Sequence, residues 1–280
     1  FPCQDLSTIG SIHGFNKGIK RNSNNRSSLL WEVERILIER QNGNLKLPKV
    51  LVMENVVSIK SPRHIKDFEE WQTVLEELGY FNKVYTLSAT DFGIPQYRKR
   101  VFMISILVPQ NKKETVKKYF ENNDLEDFSV RTRKLSSFLK LDKEGKYFDE
   151  ALSSQPNDTS SRLKIWQNNK VLYSELGEYA DFTLTLTTKQ DRHPNAGNIF
   201  FNVDNGKSKV RYLTPRECFL LMGFKEKDFE NIINENLLNN DGTSYFSNAR
   251  LYKLTGNSIV VNMLEEVFSQ VIDILRLIKA

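Results

Sequence analysis

The sequence predicts an α/β fold, in which helices alternate with buried strands of one sheet, followed by a second, smaller and irregular domain. Amphipathic helical segments alternate with short apolar runs up to residue 108, as in doubly wound sheets. From Pro109 to about Val210 the chain becomes charged and irregular. We therefore expect an α/β domain over 1–108, an irregular domain over 109–245, and a C-terminal segment over 246–280 that returns to the first domain.

Hydrophobic periodicity places the elements of the first domain. The apolar residues of segment 29–40 return at three- and four-residue intervals, which predicts a helix. Segment 49–54 is an apolar run of the kind found in buried parallel strands. A helix is expected over 64–80, and further strands are expected over 84–90 and 100–108.

The second half of the chain has fewer regular patterns. Strands are expected near 182–188 and 198–203. The sequence from Thr214 to Glu217 is a capping box, which predicts a helix that begins there and ends at Gly223. Segment 258–280 reads as a long helix with one apolar face.

Composition limits the class of protein. Of the 280 residues, 39% are hydrophobic and 27% are charged, as in ordinary soluble domains, and no apolar run approaches the roughly 20 residues of a membrane span. The net charge of +5 favours a polyanionic partner such as nucleic acid. Two cysteines exclude a disulfide framework and fit a reducing cytoplasm. They and the three histidines lack the spacing of metal ligands, so no metal is expected.

Five short motifs follow one another along the chain. They are Phe1-Pro2-Cys3-Gln4, Glu54-Asn55-Val56, Gln96-Tyr97-Arg98-Lys99-Arg100, the run from Arg211 to Glu217, and Gly256-Asn257-Ser258. Each alone is weak, since a cysteine such as Cys3 is more often a small buried hydrophobe than a nucleophile. In this order and spacing, they resemble the motifs of the cytosine-5 DNA methyltransferases of bacterial restriction-modification systems.

The resemblance implies an S-adenosylmethionine-dependent methyltransferase with a Rossmann-like sheet. Such an enzyme methylates C5 of a cytosine flipped out of a specific double-stranded DNA sequence, as the modification half of a restriction-modification system. Cys3 matches the nucleophile that bonds to C6, Glu54 the carboxyl group at N3, and Arg100 the arginine at O2. Arg98 matches the arginine that supports the catalytic loop. Asn55 is expected to hold the backbone of its turn.

DNA contacts are implied in two regions. The polar stretch 7–26 resembles the mobile loop that closes over DNA, and its candidate contacts are Ser7, Lys17, Lys20, Arg21 and Arg26. The irregular region 109–210 resembles the target-recognition region. Two overlapping Thr-Leu pairs there match the family's pair; we favour Thr185 with Leu186 over the preceding pair, with base contacts following at Lys189, Gln190 and Arg192.

Only part of the cofactor site can be transferred from the resemblance. Pro2, Leu29 or Leu30, Asn257 and Ser258 match positions that line the S-adenosylmethionine pocket. The Gly-rich turn for its methionine part and the acidic residues for its ribose and adenine are not found in the sequence. We therefore expect a C-terminal portion with an exposed sheet edge, inactive without an N-terminal half or complementary subunit. A bacterial cytoplasmic, nucleoid-associated location follows from the resemblance.

Three other interpretations stay open at this point. An RNA cytosine methyltransferase would share the chemistry, although the sizeable variable region favours DNA. A non-catalytic DNA-binding remnant would keep the recognition region, but the complete set Cys3, Glu54, Arg98 and Arg100 argues against decay. A cysteine hydrolase would need a histidine base, and His13, His64 and His193 have no recognisable context.

Overall fold

A computed structural model describes residues 1–3, 5–6, 18–21, 26–203 and 205–279, which form two compact units. The first unit comprises Phe1–Leu87, Lys99–Phe128 and Glu266–Ala280, and the second comprises Ser88–Arg98 and Ser129–Glu265. The units interleave along the sequence, whereas the expected domains are contiguous. The second unit is not smaller than the first, because 88–98 and 246–265 group with it. The boundaries of the functional domains stay predictions.

The first unit contains a small sheet with helices between its strands. In chain order its elements are α1 (Leu30–Asn42), β1 (Val50–Val56), α2 (Ile65–Glu77), β2 (Tyr80–Ser88), β3 (Lys99–Leu107) and α3 (Lys113–Asn122). The predicted helices and strands of this part are therefore present, with ends shifted by up to four residues. The strand order is β1-β3-β2, so β3 is the central strand of the described sheet.

One expectation about this sheet is wrong: among the described residues, the strand that pairs with β1 is antiparallel to it. Its residues pair with β3 in antiparallel register, from Val50 opposite Ile106 to Val56 opposite Arg100. β3 lies between β1 and β2 in the strand order, and its link to β2 is only about ten residues, too short for the crossover that a strand parallel to β2 would need. The short link thus favours a reversal of the chain before β3, in agreement with its antiparallel pairing to β1.

Burial follows this strand order. Residues Val101–Ile106 of β3 are buried throughout, whereas β1 is half-buried along most of its length. The core between the sheet and the helices includes Leu37, Phe68, Trp71, Leu75 and Met103. Three apolar side chains of α1 nevertheless face solvent, namely Val33, Ile36 and Ile38. Val33 and Ile36 lie on one face of α1 and Ile38 lies on another, so apolar parts of this helix and an outer strand are exposed among the described residues.

The second unit is built from short helices and short strands. These are α4 (Gly145–Ser153), α5 (Ser160–Asn168), β4 (Val171–Tyr173), β5 (Asn198–Phe200), β6 (Val210–Arg211), α6 (Pro215–Leu220), α7 (Glu226–Asn234) and α8 (Asn248–Asn257). The last helix of the chain, α9 (Val261–Lys279), begins in this unit. The prediction of a strand near 182–188 is wrong. That segment forms one isolated β-bridge, between Gln96 and Thr183, and its later residues make hydrogen bonds that mainly involve side chains.

The capping box at the start of α6 is confirmed. Thr214 accepts a hydrogen bond from the backbone of Glu217, and the Glu217 carboxylate accepts one from the backbone of Thr214 at 2.7 Å. The same carboxylate forms a fully buried ion pair with Arg211 at 2.8 Å. A buried charge is tolerated when it is paired and hydrogen-bonded, and Glu217 meets both conditions.

Within the part of the chain that the structure describes, no helix combines the length and apolarity that a membrane crossing requires.

Candidate active site

The turn that carries Cys3 is held by side chains from other segments of the first unit. Ser27 Oγ donates to the Pro2 carbonyl at 2.7 Å and contacts the buried Asp5 carboxylate at 3.2 Å. The Cys3 carbonyl accepts the Leu6 amide at 3.0 Å, and the Leu6 carbonyl in turn accepts the Ser58 hydroxyl. Cys3 itself is exposed and not in a disulfide. The backbone of the turn is therefore fixed while its thiol stays accessible.

Asn55 also supports this turn. Its amide nitrogen donates to the Phe1 carbonyl at 3.3 Å, and its oxygen accepts the Val56 amide at 2.9 Å. Asn55 is almost completely buried, so its polar atoms need these partners. The side chain thus links the end of β1 to the backbone that precedes Cys3.

Glu54 and Arg100 form an ion pair beside Cys3. The Arg100 Nε and Glu54 Oε1 atoms lie 3.1 Å apart. Burial lowers the pKa of the Arg100 guanidinium, while attraction to the charges of Glu54 and Cys3 opposes that shift. The cation thus interacts electrostatically with both predicted catalytic groups. These three side chains form the candidate active site.

Strand pairing explains why Glu54 and Arg100 meet. Arg100 lies opposite Val56, and Phe102 lies opposite Glu54, in the antiparallel ladder of β1 and β3. Opposite residues share one face of a sheet, and alternate residues of a strand point to the same face. Glu54 and Arg100 are therefore diagonal neighbours on one face, within reach of two long side chains.

Arg98 belongs to the second unit and connects two other motifs. It is 2% exposed, and its guanidinium donates to the carbonyls of Leu186 at 3.0 Å, Gly256 at 3.1 Å and Ser258 at 2.8 Å. It thereby joins the Thr-Leu segment to the Gly-Asn-Ser segment. The support of the catalytic loop by Arg98 stays a prediction.

Gln96 has a comparable structural role. Its amide nitrogen donates to the Leu221 carbonyl at 2.8 Å, and its oxygen accepts the Leu186 amide at 3.1 Å. Nearby, Thr185 Oγ1 donates to the Tyr97 carbonyl at 2.7 Å. The 96–98 segment is thus fastened to residues 185–186 mainly by side chains.

The predicted base-reading residues differ in their exposure. Lys189 and Arg192 are exposed, and Thr185 is half-buried. Leu186 and Gln190 are buried, and within the described residues neither side-chain polar atom of Gln190 has a hydrogen-bond partner. Lys189 and Arg192 are therefore the two exposed members of this set, and Arg192 forms an ion pair with its neighbour Asp191 at 3.6 Å.

The predicted DNA-closing loop is described only in part. Ser7 and Lys17 lie outside the described residues, and so does Gln4. Lys20 and Arg26 are exposed. Arg21 forms ion pairs with Glu34 at 2.6 Å and Glu70 at 2.5 Å.

The Arg21 guanidinium also lies 3.7 Å from the ring centre of Trp31, whose indole N–H donates to the Ile19 carbonyl at 2.6 Å. With two carboxylate partners and a stacking ring, Arg21 anchors this end of the segment to α1 and α2.

The candidate cofactor residues are divided between the two units. In the first, Pro2 is half-buried and Leu29 is exposed, while Leu30 is 2% exposed. In the second, Asn257 is exposed and Ser258 is half-buried. Ser27, two residues before Leu29, holds the Pro2 carbonyl, so Pro2 and Leu29 belong to one neighbourhood. Of the two leucines, Leu29 is the one available to a ligand.

Comparison with solved structures identifies the fold as that of α/β methyltransferases. The chain superposes on the Entamoeba histolytica methyltransferase EhMeth with a TM-score of 0.63 and 19% sequence identity, covering 98% of this chain and 75% of that one. It superposes on the S. pombe Dnmt2 methyltransferase with a TM-score of 0.62 and 18% identity, covering 98% and 83%.

Sequence comparison then gives the family. Residues 1–273 match the family of C-5 cytosine-specific DNA methylases, and the chain belongs to it. It is 32% identical over 270 residues to the type II methyltransferase M2.ScrFI of Lactococcus lactis subsp. cremoris, covering 96% of this chain. It is 30% identical over 283 residues to the orphan methyltransferase M.SssI of Spiroplasma monobiae, covering 97%. The chain spans 64% of the length of each of these two relatives.

Proposed function

We propose that this chain carries the base-activating half of a DNA (cytosine-5) methyltransferase of restriction-modification type. The observation that supports this most directly is the cluster of Cys3, Glu54 and Arg100 in the first unit. A nucleophile, a carboxyl group and a guanidinium are the groups that addition to a cytosine ring requires, and here the Glu54 carboxylate and the Arg100 guanidinium are paired at 3.1 Å, with the guanidinium within electrostatic range of Cys3.

The chemistry assigns each group a position on the flipped-out base. The Cys3 thiolate attacks C6, and the new C–S bond pushes electron density toward N3 and C5. Glu54 holds a proton at N3, which stabilises the negative charge that the attack creates. Arg100 donates to O2 and remains paired with Glu54, so the carboxyl group is oriented before the base arrives. C5 thereby becomes nucleophilic enough to accept a methyl group, after which loss of the C5 proton to solvent and cleavage of the C6–S bond release the methylated base and the Cys3 thiolate.

S-adenosylmethionine is the proposed cofactor and would supply the methyl group. The described residues of the first unit fit part of it, because Pro2 and Leu29 present apolar surface. Leu30 does not fit, because its side chain is buried. The acidic groups expected at the ribose and adenine have no counterpart among the sequence motifs. We infer that further polypeptide, whether linked to this chain or separate, completes the site.

The first unit offers a surface for such a polypeptide. The strand β1 is an outer, half-buried strand of the described sheet, and Val33, Ile36 and Ile38 of α1 are exposed close to it in the sequence. An outer strand with apolar neighbours favours pairing with another strand. A polypeptide that pairs with this edge would cover the strand and supply the cofactor-binding groups that the sequence motifs lack.

The proposed substrate is a specific sequence in double-stranded DNA. The net charge of +5 favours such a partner, and the exposed Lys189 and Arg192 follow the Thr-Leu pair. An RNA cytosine methyltransferase and a DNA-binding remnant remain the alternatives. The presence of the complete Cys3, Glu54 and Arg100 cluster favours a catalytic protein over a remnant. A bacterial cytoplasmic, nucleoid-associated location likewise stays a prediction.

Transfer of labelled methyl from S-adenosylmethionine to cytosine tests the proposal. The chain is assayed alone and with the N-terminal segment of a family member added in trans, on mixed-sequence duplex DNA and on RNA. We expect incorporation into DNA only with the added segment. Incorporation into RNA alone would favour the RNA methyltransferase, and incorporation by the chain alone would contradict the incomplete cofactor site.

Two cysteine variants separate chemistry from folding. Cys3→Ser should abolish incorporation and leave DNA binding nearly unchanged, because a hydroxyl is a far weaker nucleophile than a thiolate. Cys218→Ser is the matched control, since Cys218 is buried in the second unit and burial raises the pKa of its thiol. Equal activity of Cys3→Ser and the unmodified protein would remove Cys3 from the mechanism.

A further inference from the structure

A run of basic residues that the proposed active site does not use lies on the surface of the second unit. Arg131, Arg133 and Lys134 fall within four residues, and all three are exposed. None of them forms an ion pair with an acidic side chain in the part of the chain that the structure describes. The Arg133 guanidinium lies 4.3 Å from the centre of the Phe138 ring, a contact that leaves its positive charge uncompensated, so the charge of the run can act on an external anion.

The backbone of this run is held in place. The Val130 amide donates to the Asp91 carbonyl at 2.9 Å, and the Arg133 amide donates to the Gly93 carbonyl at 3.1 Å. Between them, Thr132 Oγ1 donates to the Thr90 carbonyl at 2.8 Å. A segment fastened at three points presents its cations in a fixed arrangement, which lowers the entropy cost of binding.

Arg133 and Lys134 of this run line one wall of a groove of about 580 Å³, and Arg131 lies two residues before them in the chain. The opposite wall is formed by residues 179–182, including Tyr179 and Phe182. A further cation lies against the Phe182 ring, since Lys170 Nζ is 3.8 Å from its centre. The groove also contains one acidic residue, Asp181, so the basic residues around it outnumber the acidic ones.

The groove continues into the segment proposed to read bases. Phe182 directly precedes Thr183, whose carbonyl accepts the Tyr97 amide at 2.8 Å, and the rings of Tyr97 and Phe182 lie 6.1 Å apart. Cations beside exposed aromatic rings are the usual combination at nucleic-acid backbones, where charge binds phosphate and rings contact sugars or bases.

We propose that Arg131, Arg133 and Lys134 bind the phosphate backbone of duplex DNA outside the methylated site. The inference rests on the proposed function in one respect, because it takes duplex DNA as the polyanion. The three side chains would fix the duplex on the protein without reading its sequence, so they would raise affinity equally for target and non-target DNA.

The test measures DNA binding, which does not depend on methyl transfer. The triple variant Arg131→Gln, Arg133→Gln, Lys134→Gln removes three charges and keeps long polar side chains. The control is Lys113→Gln, Lys117→Gln, Lys118→Gln on α3, which makes the same change in net charge within one short segment. Fluorescence anisotropy with labelled duplex DNA is recorded from low to moderate salt, and thermal melting checks that both variants fold.

We expect the groove variant to bind about tenfold or more weakly at moderate salt. The slope of log affinity against log salt should fall by about 1 for each phosphate-binding side chain that the variant removes. The α3 variant should keep the original slope. If both variants lose DNA affinity equally, net charge alone governs binding and the proposal is overturned. An unchanged salt dependence of affinity in the groove variant would overturn it as well.

Two further outcomes separate this inference from the proposed function. If the protein transfers no methyl group but still binds DNA, and the groove variant loses that binding, the inference is supported. In that case only the proposed methyltransferase activity is contradicted. Stronger binding to duplex RNA of the same length, abolished in the same variant, would identify RNA as the partner and overturn the assignment to DNA.

Discussion

Gly256 lies directly against the backbone of Thr188: a Cβ atom on Gly256 would come within 2.3 Å of the Thr188 amide nitrogen. The Thr187 carbonyl carbon and the Thr188 Cα would also lie within 2.7 Å of that atom. Backbone atoms cannot move aside as a flexible side chain can. The Gly-Asn-Ser segment therefore needs glycine to approach the segment that follows the Thr-Leu pair.

Gly256→Ala should destabilise the protein by about 1–3 kcal/mol, as overpacking of a tight contact does. The direction of this stability change is informative, because alanine inside a helix is normally favoured over glycine by about 1 kcal/mol. Chemical denaturation measures the difference. Lys253→Ala, exposed on the same helix, is the control and should change stability by less than about 0.5 kcal/mol. A stabilised Gly256→Ala protein would contradict the close approach.

Arg98→Lys should cost about 1–3 kcal/mol of stability, because a lysine ammonium cannot replace a planar guanidinium that donates to three carbonyls. Denaturant titration gives the free energy of unfolding. Arg276→Lys serves as the control, since Arg276 is exposed on α9 and pairs locally with Asp273. Equal effects of the two substitutions would mean that the Arg98 contacts contribute nothing specific.

Glu54→Gln should slow methyl transfer by about 10²–10⁴-fold in the completed enzyme, as loss of a positioned proton-holding group does. DNA affinity should change little, since Glu54 faces Arg100 within the site. Single-turnover assays separate the two quantities. Glu69→Gln removes an exposed carboxylate of α2 and should leave the rate unaltered. The assigned role of Glu54 fails if both variants turn over at the unmodified rate.

Acid should weaken the second unit through the carboxylates around Arg216. Arg216 is buried and pairs with Glu150 at 2.7 Å, Glu226 at 2.8 Å and Glu230 at 2.6 Å. Burial alone raises the pKa of Glu226, but hydrogen bonds from Lys140 and Arg216 outweigh it, so the pKa falls below its usual value. Hydrogen bonds from Lys146 and Arg216 lower the pKa of Glu230 in the same direction.

Because these folded-state pKa values lie below those of the unfolded chain, the stabilisation is complete above about pH 5 and is lost as the pH falls through the folded-state values. Unfolding free energies measured between pH 3 and 6 should therefore decline toward pH 3. In Arg216→Met the decline should be shallower, since the cation that lowers both pKa values is gone. An identical slope in that variant would rule out the Arg216 cluster as its origin.

Local patterns were sufficient for much of the fold. Alternating periodicity predicted α1, β1, α2, β2 and β3, because apolar spacing reports burial directly. The capping box at Thr214 was also predicted correctly, since its hydrogen bonds join residues three apart. The pairing direction of β1 was predicted wrongly, because a short apolar run has the same sequence pattern whether the neighbouring strand is parallel or antiparallel.

The sequence by itself determined the family and the residue types of the proposed chemistry, since order and spacing of motifs are properties of the chain alone. Only the tertiary structure showed that Ser27 and Asn55 hold the Cys3 turn, that Arg21 is engaged by Glu34 and Glu70, and that Gln190 is buried. Each depends on a contact between distant segments. Hydrophobic periodicity and composition do not specify which polar side chain will hydrogen-bond to which distant group once the chain has folded.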